Sequence, residues 1–366
     1  MQERVYTADD REAWEEALPA RISVLGSVGY ARIVQRQTGY PARLFTVASD
    51  EGRIVYPFFL RPVSNLPFAR HYASYWDTIT PEYTGPIGLG TVTPELQRAF
   101  IEGWRRFCQE QRIVAEFMHL HPSDRYTGLL CADDVRYDRD IVAVDLTLSE
   151  KALWQQSLED QSRYNIRRAQ REGVRVFMAQ NTADVMECYH IYTKTMKRRR
   201  ALERYFFSFE YFWSFYEELL EHSFFLMAEC SNRVVAMALY LYDDAEMYDF
   251  LAGLDKDYQH CRASHAIIYA AIQWGQRHGK RRLILGGGYR PNDGIFQFKA
   301  SFSPLRLRFS IYRRIHQPAL YADLCQAWTE YYGCALPREA EYFPAYRMLP
   351  PPDAGQVREL GGQAST

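Results

Sequence analysis

The stretch from Leu283 to Phe302, LILGGGYRPNDGIFQFKASF, holds the densest set of groups that could do chemistry. Gly286, Gly287 and Gly288 follow a short apolar run that reads as a buried strand. Three glycines permit positive φ and let another group approach the backbone closely. Asp293 precedes Gly294-Ile295-Phe296 and is placed to N-cap a short helix. Lys299 then projects among Ile295, Phe296, Phe298 and Phe302. A lysine in such a setting either snorkels to water or faces an anionic group.

Two further basic clusters stand out. Arg163, Arg167 and Arg171 recur at i, i+4 and i+8, one stripe of a helix. Such a stripe is either a phosphate or nucleic-acid contact or a solvated face. Lys197-Arg198-Arg199-Arg200 closes another helix, where the macrodipole favours cations in any case. His119 and His121 lie at a strand end without the Cys, Asp or Glu that would complete a zinc pattern, so no metal is expected. No Ser/His/Asp or Cys/His constellation has a recognisable context, so no covalent intermediate is expected.

The elements that must carry these groups follow from periodicity. Residues 8–22 read as an amphipathic helix, with Trp14, Ala17, Leu18 and Ile22 on one face. Residues 42–63 read as a β-meander turning at Asp50-Glu51-Gly52. Residues 72–90 form an irregular loop rich in aromatics and glycine, of the kind that often lines sites. A helix over 94–111, a strand over 113–120 and a strand over 141–148 complete a first group. A second runs from Ser149: helix 153–172, strand 174–178, helices 183–200 and 209–222, strands 224–229, 234–242 and 246–254, helix 263–278, then the glycine stretch and strand 305–313. Helix 320–332 follows, and the tail from Pro350 reads as disordered.

Composition sets outer bounds. The chain has 366 residues, 47% hydrophobic and 24% charged, which is ordinary for a globular protein and long enough for two domains. Seven scattered cysteines form no CxxC pair and imply reduced thiols and a cytoplasmic location. The charged N-terminus is no signal peptide, and no apolar run approaches the ~20 residues of a membrane span. The net charge of −1 hides an asymmetry. Residues 146–315 carry 25 Lys+Arg against 19 Asp+Glu, while residues 1–145 carry 16 against 20. A basic middle favours an anionic partner: a phosphate-bearing small molecule, tRNA or a lipid head group touched peripherally.

The glycine turn, the Asp-Gly loop and Phe-Gln-Phe-Lys, together with SRYNIRRAQREGVRV (162–176) and YHIYTKTMKRR (189–199), resemble the Fem-type peptidoglycan-bridge aminoacyltransferases. These belong to the GNAT-like N-acyltransferases. The resemblance spans roughly residues 20–320. It implies an α/β fold of two tandem GNAT-like units, each a mixed sheet flanked by helices. The first would be 1–148 plus 316–349, the second 149–315.

What the resemblance implies about the site is more specific. An amine of a peptidoglycan precursor or related acceptor would attack the ester of an aminoacyl-tRNA directly, with no resident cofactor. Lys299, with Phe298, would stabilise the oxyanion or the terminal nucleotide, and Asp293 or Asp77 would accept a proton. Asp77, Tyr83 and Gly85 match a segment facing the acceptor cleft. Arg198, Arg199, Arg204 and Tyr205 are candidates for the acceptor's diphosphate, and Tyr248, Gly287, Gly288 and Tyr289 complete the substrate-binding set. Arg163, Arg167 and Arg171 would contact tRNA phosphates. The alternative is an acyl-CoA-dependent N-acyltransferase linked to exopolysaccharide or lipid modification. Against it, the turn before Ala266, DYQHCRASH, has none of the glycines with which CoA enzymes cradle pyrophosphate. A third reading is a non-catalytic binding protein on the same scaffold.

Overall fold

The computed structural model describes residues 1–122, 128–288, 290, 292–337 and 342–351. The chain divides into two compact units. The first comprises Met1–Thr7, Tyr40–Arg136 and Ser310–Thr366; the second comprises Ala8–Gly39 and Tyr137–Phe309.

The first unit contains strands β1 (Gln2–Thr7), β2 (Ala42–Ala48), β3 (Gly52–Pro62), β4 (Trp76–Ile79), β5 (Ile87–Gly90) and β6 (Ile113–His119). Helix α3 (Pro94–Glu110) is capped by Thr93, whose hydroxyl accepts from the Leu96 N–H. β1, β2, β3 and β4 pair antiparallel in turn, β5 also joins β3, and β6 lies parallel to β4. The apolar face of α3 buries Phe100, Trp104 and Phe107 against Phe45, Tyr56 and Phe58. Trp104 packs edge-on against Tyr56, with centroids 4.7 Å apart. Helix α10 (Pro318–Tyr332) belongs to this unit and buries Leu324 and Trp328 with Val63, Val114 and Tyr346.

The second unit starts with α1 (Arg11–Ala17) and α2 (Val28–Thr38). Sequence periodicity suggested one helix over 8–22, but α1 ends at Ala17, and α2 went unforeseen. Its punctuation was visible: Ser27 caps it and Gly39 ends it at φ +71°. Residues 8–39, read from sequence as part of the first unit, cluster with the second. Arg11, Arg32 and Arg36 all pair with the buried Glu218 of α7 (Phe209–Glu218), which holds α1 and α2 to the second unit.

The remaining elements are β7 (Val135–Asp145), α4 (Glu150–Ala152), α5 (Asp160–Arg171), β8 (Arg175–Met178), α6 (Thr182–Arg199), β9 (Ser223–Cys230), β10 (Arg233–Tyr242), β11 (Glu246–Leu254), α8 (Ala263–Arg277), β12 (Arg282–Gly286), α9 (Gly294–Ala300) and β13 (Arg306–Ile315). Strand order is β7-β12-β11-β10-β9-β8. All contacts in this series are antiparallel except β11 with β12, which is parallel. One face of the sheet packs against α8 and α5 through Met247, Tyr240, Ile267, Ala271 and Ile166. On the other, Phe250 meets Tyr30 of α2 and Phe215 of α7.

Two expectations are corrected here. The helix read over 153–172 is broken: Leu158 is extended (ψ 130°), and α5 begins afresh after Glu159. Both Leu153 and Leu158 are buried across the break, and the Glu159 N–H is satisfied by Ser301 O at 2.9 Å. The cysteines are also not all thiols. Cys230, at the end of β9, and Cys261, just before α8, form a disulfide with Cα atoms 6.8 Å apart. No CxxC spacing announces a pair separated by 31 residues.

Asp77 is a structural tie within the first unit. Its fully buried carboxylate accepts from the Tyr346 hydroxyl and from Nε of Arg347. Arg347 also donates to Pro62 O at 2.8 Å. It is therefore not a proton acceptor in an open cleft, as its motif suggested. Asp77→Ala leaves buried guanidinium groups uncompensated and should cost about 3–5 kcal/mol of stability in a denaturant titration. A loss below about 1 kcal/mol, the usual worth of an exposed pair, would show that this tie does not hold the segment.

Candidate active site

β11 and β12 run parallel only as far as Tyr248 and Ile284. β11 then continues to Leu254 while β12 stops at Gly286, where φ is +79°. Asp249 is thus the first residue of β11 without a partner in β12. On its other side it pairs with Tyr240 of β10. Burial raises the Asp249 carboxyl to about 6, and the nearby Lys299 ammonium pulls in the opposite direction. The Lys299 ammonium therefore favours the ionised carboxylate.

Tyr240 completes the group. It is 0% exposed, and its hydroxyl has no hydrogen-bond partner among the described residues. Burial first, and the Asp249 carboxylate second, push it well above its usual range. A buried hydroxyl without a partner is costly.

Lys299 comes from α9. Asp293 fixes the start of that helix: Oδ1 accepts from the N–H groups of Ile295 at 3.0 Å and Phe296 at 2.9 Å. Its Oδ2 accepts from the Arg290 N–H at 2.9 Å. With both oxygens in backbone bonds, Asp293 acts as a cap rather than as the proton acceptor that the sequence offered as an alternative. Lys299 Nζ donates to Gly287 O at 3.2 Å, and Arg139 Nη1 donates to Gly288 O at 3.1 Å. A Cβ on Gly288 would overlap the Asp293 carboxylate, so this glycine is required by close approach.

Phe298 packs edge-on against His265 of α8, with centroids 5.0 Å apart. Burial, then Arg262, lowers His265 to about 4, so the ring is neutral at pH 7. Asn165 Nδ2 lies 3.1 Å from its Nε2. The Ser162 and Ser301 hydroxyls meet at 2.7 Å and join α5 to the end of α9.

Several residues expected from sequence converge on the same region. Arg198 donates to Leu254 O at the end of β11 (3.0 Å), and Arg199 is near enough to feel the Asp293 charge. Arg204 stacks on Tyr205, whose carbonyl accepts from Tyr192 of α6 at 3.1 Å. Others do not. Tyr248 faces away and is held by Glu246 at 3.3 Å and Asp243 at 3.4 Å, so it is not a substrate contact in this arrangement. Arg163 binds Trp154 O (3.0 Å), Leu158 O and Asp160, closing the break before α5, so it is not a free phosphate ligand. Arg167 and Arg171 are exposed and lie over Trp154 and Tyr164. Tyr83 (φ +53°) and Gly85 belong to the first unit, and Tyr289 lies outside the described residues.

Sequence reasoning missed Asp249 and Tyr240. The signal was available in strand alternation. In EMYDFLAGL, Asp249 shares its side with the core residue Met247, and a carboxylate there calls for a reason.

Residues 157–300 match the family described as Acetyltransferase (GNAT) domain, so the second unit carries a GNAT-type acyltransferase domain. Asp249, Gly287 and Lys299 lie within it. No curated protein matches the chain by sequence. Among solved structures, FemX shares the fold with a TM-score of 0.68 and 14% identity, covering 88% of this chain and 99% of its own. A conserved protein of unknown function from Bacteroides thetaiotaomicron gives 0.58 at 11% identity, covering 86% and 99%. The C-terminal domain of a putative lysylphosphatidylglycerol synthetase from Agrobacterium fabrum gives 0.52 at 13% identity, covering 83% and 92%.

Gly288→Ala should displace the Asp293 cap and with it Lys299. We expect a stability loss of about 1–2 kcal/mol, close to that of Asp293→Ala. The two changes together should cost little more than either alone. Fully additive losses would mean that Gly288 and Asp293 act independently.

Proposed function

We propose that the protein is an N-acyltransferase that moves an aminoacyl group from an aminoacyl-tRNA ester to an amine of a phosphate-bearing acceptor, a peptidoglycan precursor or a related molecule. The observation that carries this reading is the convergence of Asp249, Tyr240 and Lys299 where β11 parts from β12. The attacking amine forms the new C–N bond and gives its proton to Asp249. The carbonyl oxygen becomes an oxyanion that the Lys299 ammonium stabilises. The C–O bond of the ester then breaks. The Tyr240 hydroxyl gives its proton to the leaving oxygen, and transfer from Asp249 to the tyrosinate restores the resting state. No resident cofactor takes part.

The state of Tyr240 bears on the donor. A phenol pushed upward approaches the basicity of a sugar alkoxide and remains able to protonate it. A thiolate leaving group has no such need. The turn before α8 points the same way. Arg262 stands there at φ +59°, and Cys261 is bound to Cys230, where a CoA enzyme would use glycines. The resemblance of the glycine turn and the Phe-Gln-Phe-Lys segment to Fem-type aminoacyltransferases supports an aminoacyl donor, and the basic end of α6 suits an acceptor phosphate. A second reading, transfer from acyl-CoA, draws on the description of the matching family as an acetyltransferase.

Transfer assays with a mixed aminoacyl-tRNA pool and with acetyl-CoA separate the two. We expect product from the aminoacyl-tRNA pool alone; acetyl-CoA turnover would give the second reading the lead. Because Asp249 must be ionised to accept a proton, the rate should rise with pH through about 6. Asp249→Asn should lower it by about 10²–10⁴-fold and flatten that limb. Lys299→Met removes the cation that holds the carboxylate down, so the limb should move to higher pH. A folded Lys299→Met protein with wild-type rate and limb would end the assignment.

A further inference from the structure

The first unit contains a concave site made only of its own residues. Its volume is about 360 Å³. The last turns of α3 contribute Arg105 and Cys108, the turn into β6 contributes Arg112, and the end of β13 contributes Arg314 and His316. Tyr75 forms one wall. We propose that this pocket binds a small molecule bearing a pyrophosphate or phosphomonoester, gripped by Arg105 and Arg112.

The charge balance supports this. Arg314 is paired with Asp134 at 3.1 Å. His316 Nε2 lies 2.9 Å from the buried Glu116, which also accepts from the Tyr56 hydroxyl at 2.9 Å. Arg105 and Arg112 have no carboxylate partner among the described residues. Two cations therefore remain over in a concavity. The carbonyl end of α3 opposes an anion, but with about half a unit charge it is outweighed by two guanidinium groups.

Arg112 is also preorganised. It stands at φ +53°, a left-handed conformation that non-glycine residues rarely adopt. Its Nη1 donates to Ser74 Oγ at 2.8 Å, and its guanidinium lies over Tyr75 at 5.5 Å. That leaves several of its donors for a ligand, in the fork geometry that suits phosphate. The volume sits at the low end for small-molecule sites, about 300–1,000 Å³, and accommodates a phosphate with a group of sugar size. Cys108 supplies no reaction. Burial, then Glu116, pushes its thiol well above the usual range, which keeps it protonated. The site is therefore one for binding.

The test is calorimetry on the full chain with inorganic pyrophosphate and with glucose 1-phosphate, using sulfate and succinate as controls. We expect saturable binding of at least one phosphate compound. It should weaken at least tenfold in Arg105→Gln/Arg112→Gln and stay unchanged in Arg167→Gln/Arg171→Gln. Arg105 is exposed, so Arg105→Gln alone carries the test if the double variant fails to fold. Several results would overturn the proposal: no saturable binding, binding unaffected by the arginine changes, or binding lost in Lys299→Met instead. Sulfate binding as tightly as pyrophosphate would mean an adventitious ion only. Tighter succinate binding would reject the phosphate class.

Discussion

A half-buried carboxylate where two parallel strands part is the constraint on which the second unit depends. Asp249 lies on the core side of β11, opposite Tyr240 of β10, whose hydroxyl has no hydrogen-bond partner among the described residues. Burial there opposes ionisation, and Lys299 opposes burial. The two groups are coupled by charge: loss of the ammonium would favour the protonated carboxyl.

The surrounding structure serves to hold that pair. The glycine turn brings a carbonyl to Lys299 and makes room for Asp293. Asp293 fixes the first turn of α9, and the Ser162–Ser301 contact anchors its end. Thr195 of α6 donates to Leu254 O at 3.2 Å and accepts from the Leu254 N–H at 2.9 Å, which pins the free end of β11. The disulfide does the same for the chain entering α8. Rigid support on several sides is what a site with partly buried charges requires.

The sequence made one half of this site legible and hid the other. Lys299, the glycines and the Asp293 cap lie within 14 residues, and local rules suffice to read them. Asp249 and Tyr240 acquire meaning only from which strand ends beside them. Tyr248, one position away, faces the opposite side of the sheet, so a slip of one residue exchanges a site group for a structural one. Asp77 misled for a related reason: its partner Arg347 lies 270 positions away. The arginine stripe of α5 was visible, but helical spacing says nothing of the carbonyls left open by the break at Leu158, which claim Arg163. Most sheet strands were legible, because apolar runs bounded by turn residues identify them directly.

The most direct test is the titration of Asp249 itself. Carbon-13 labelling of the aspartate carboxyl groups, with Asp249→Asn used for assignment, reports its ionisation without any substrate. We expect a midpoint of about 6, moving upward in Lys299→Met. A midpoint near the ordinary aspartate value of about 4, unmoved by Lys299→Met, would contradict the pairing and remove the base from the mechanism.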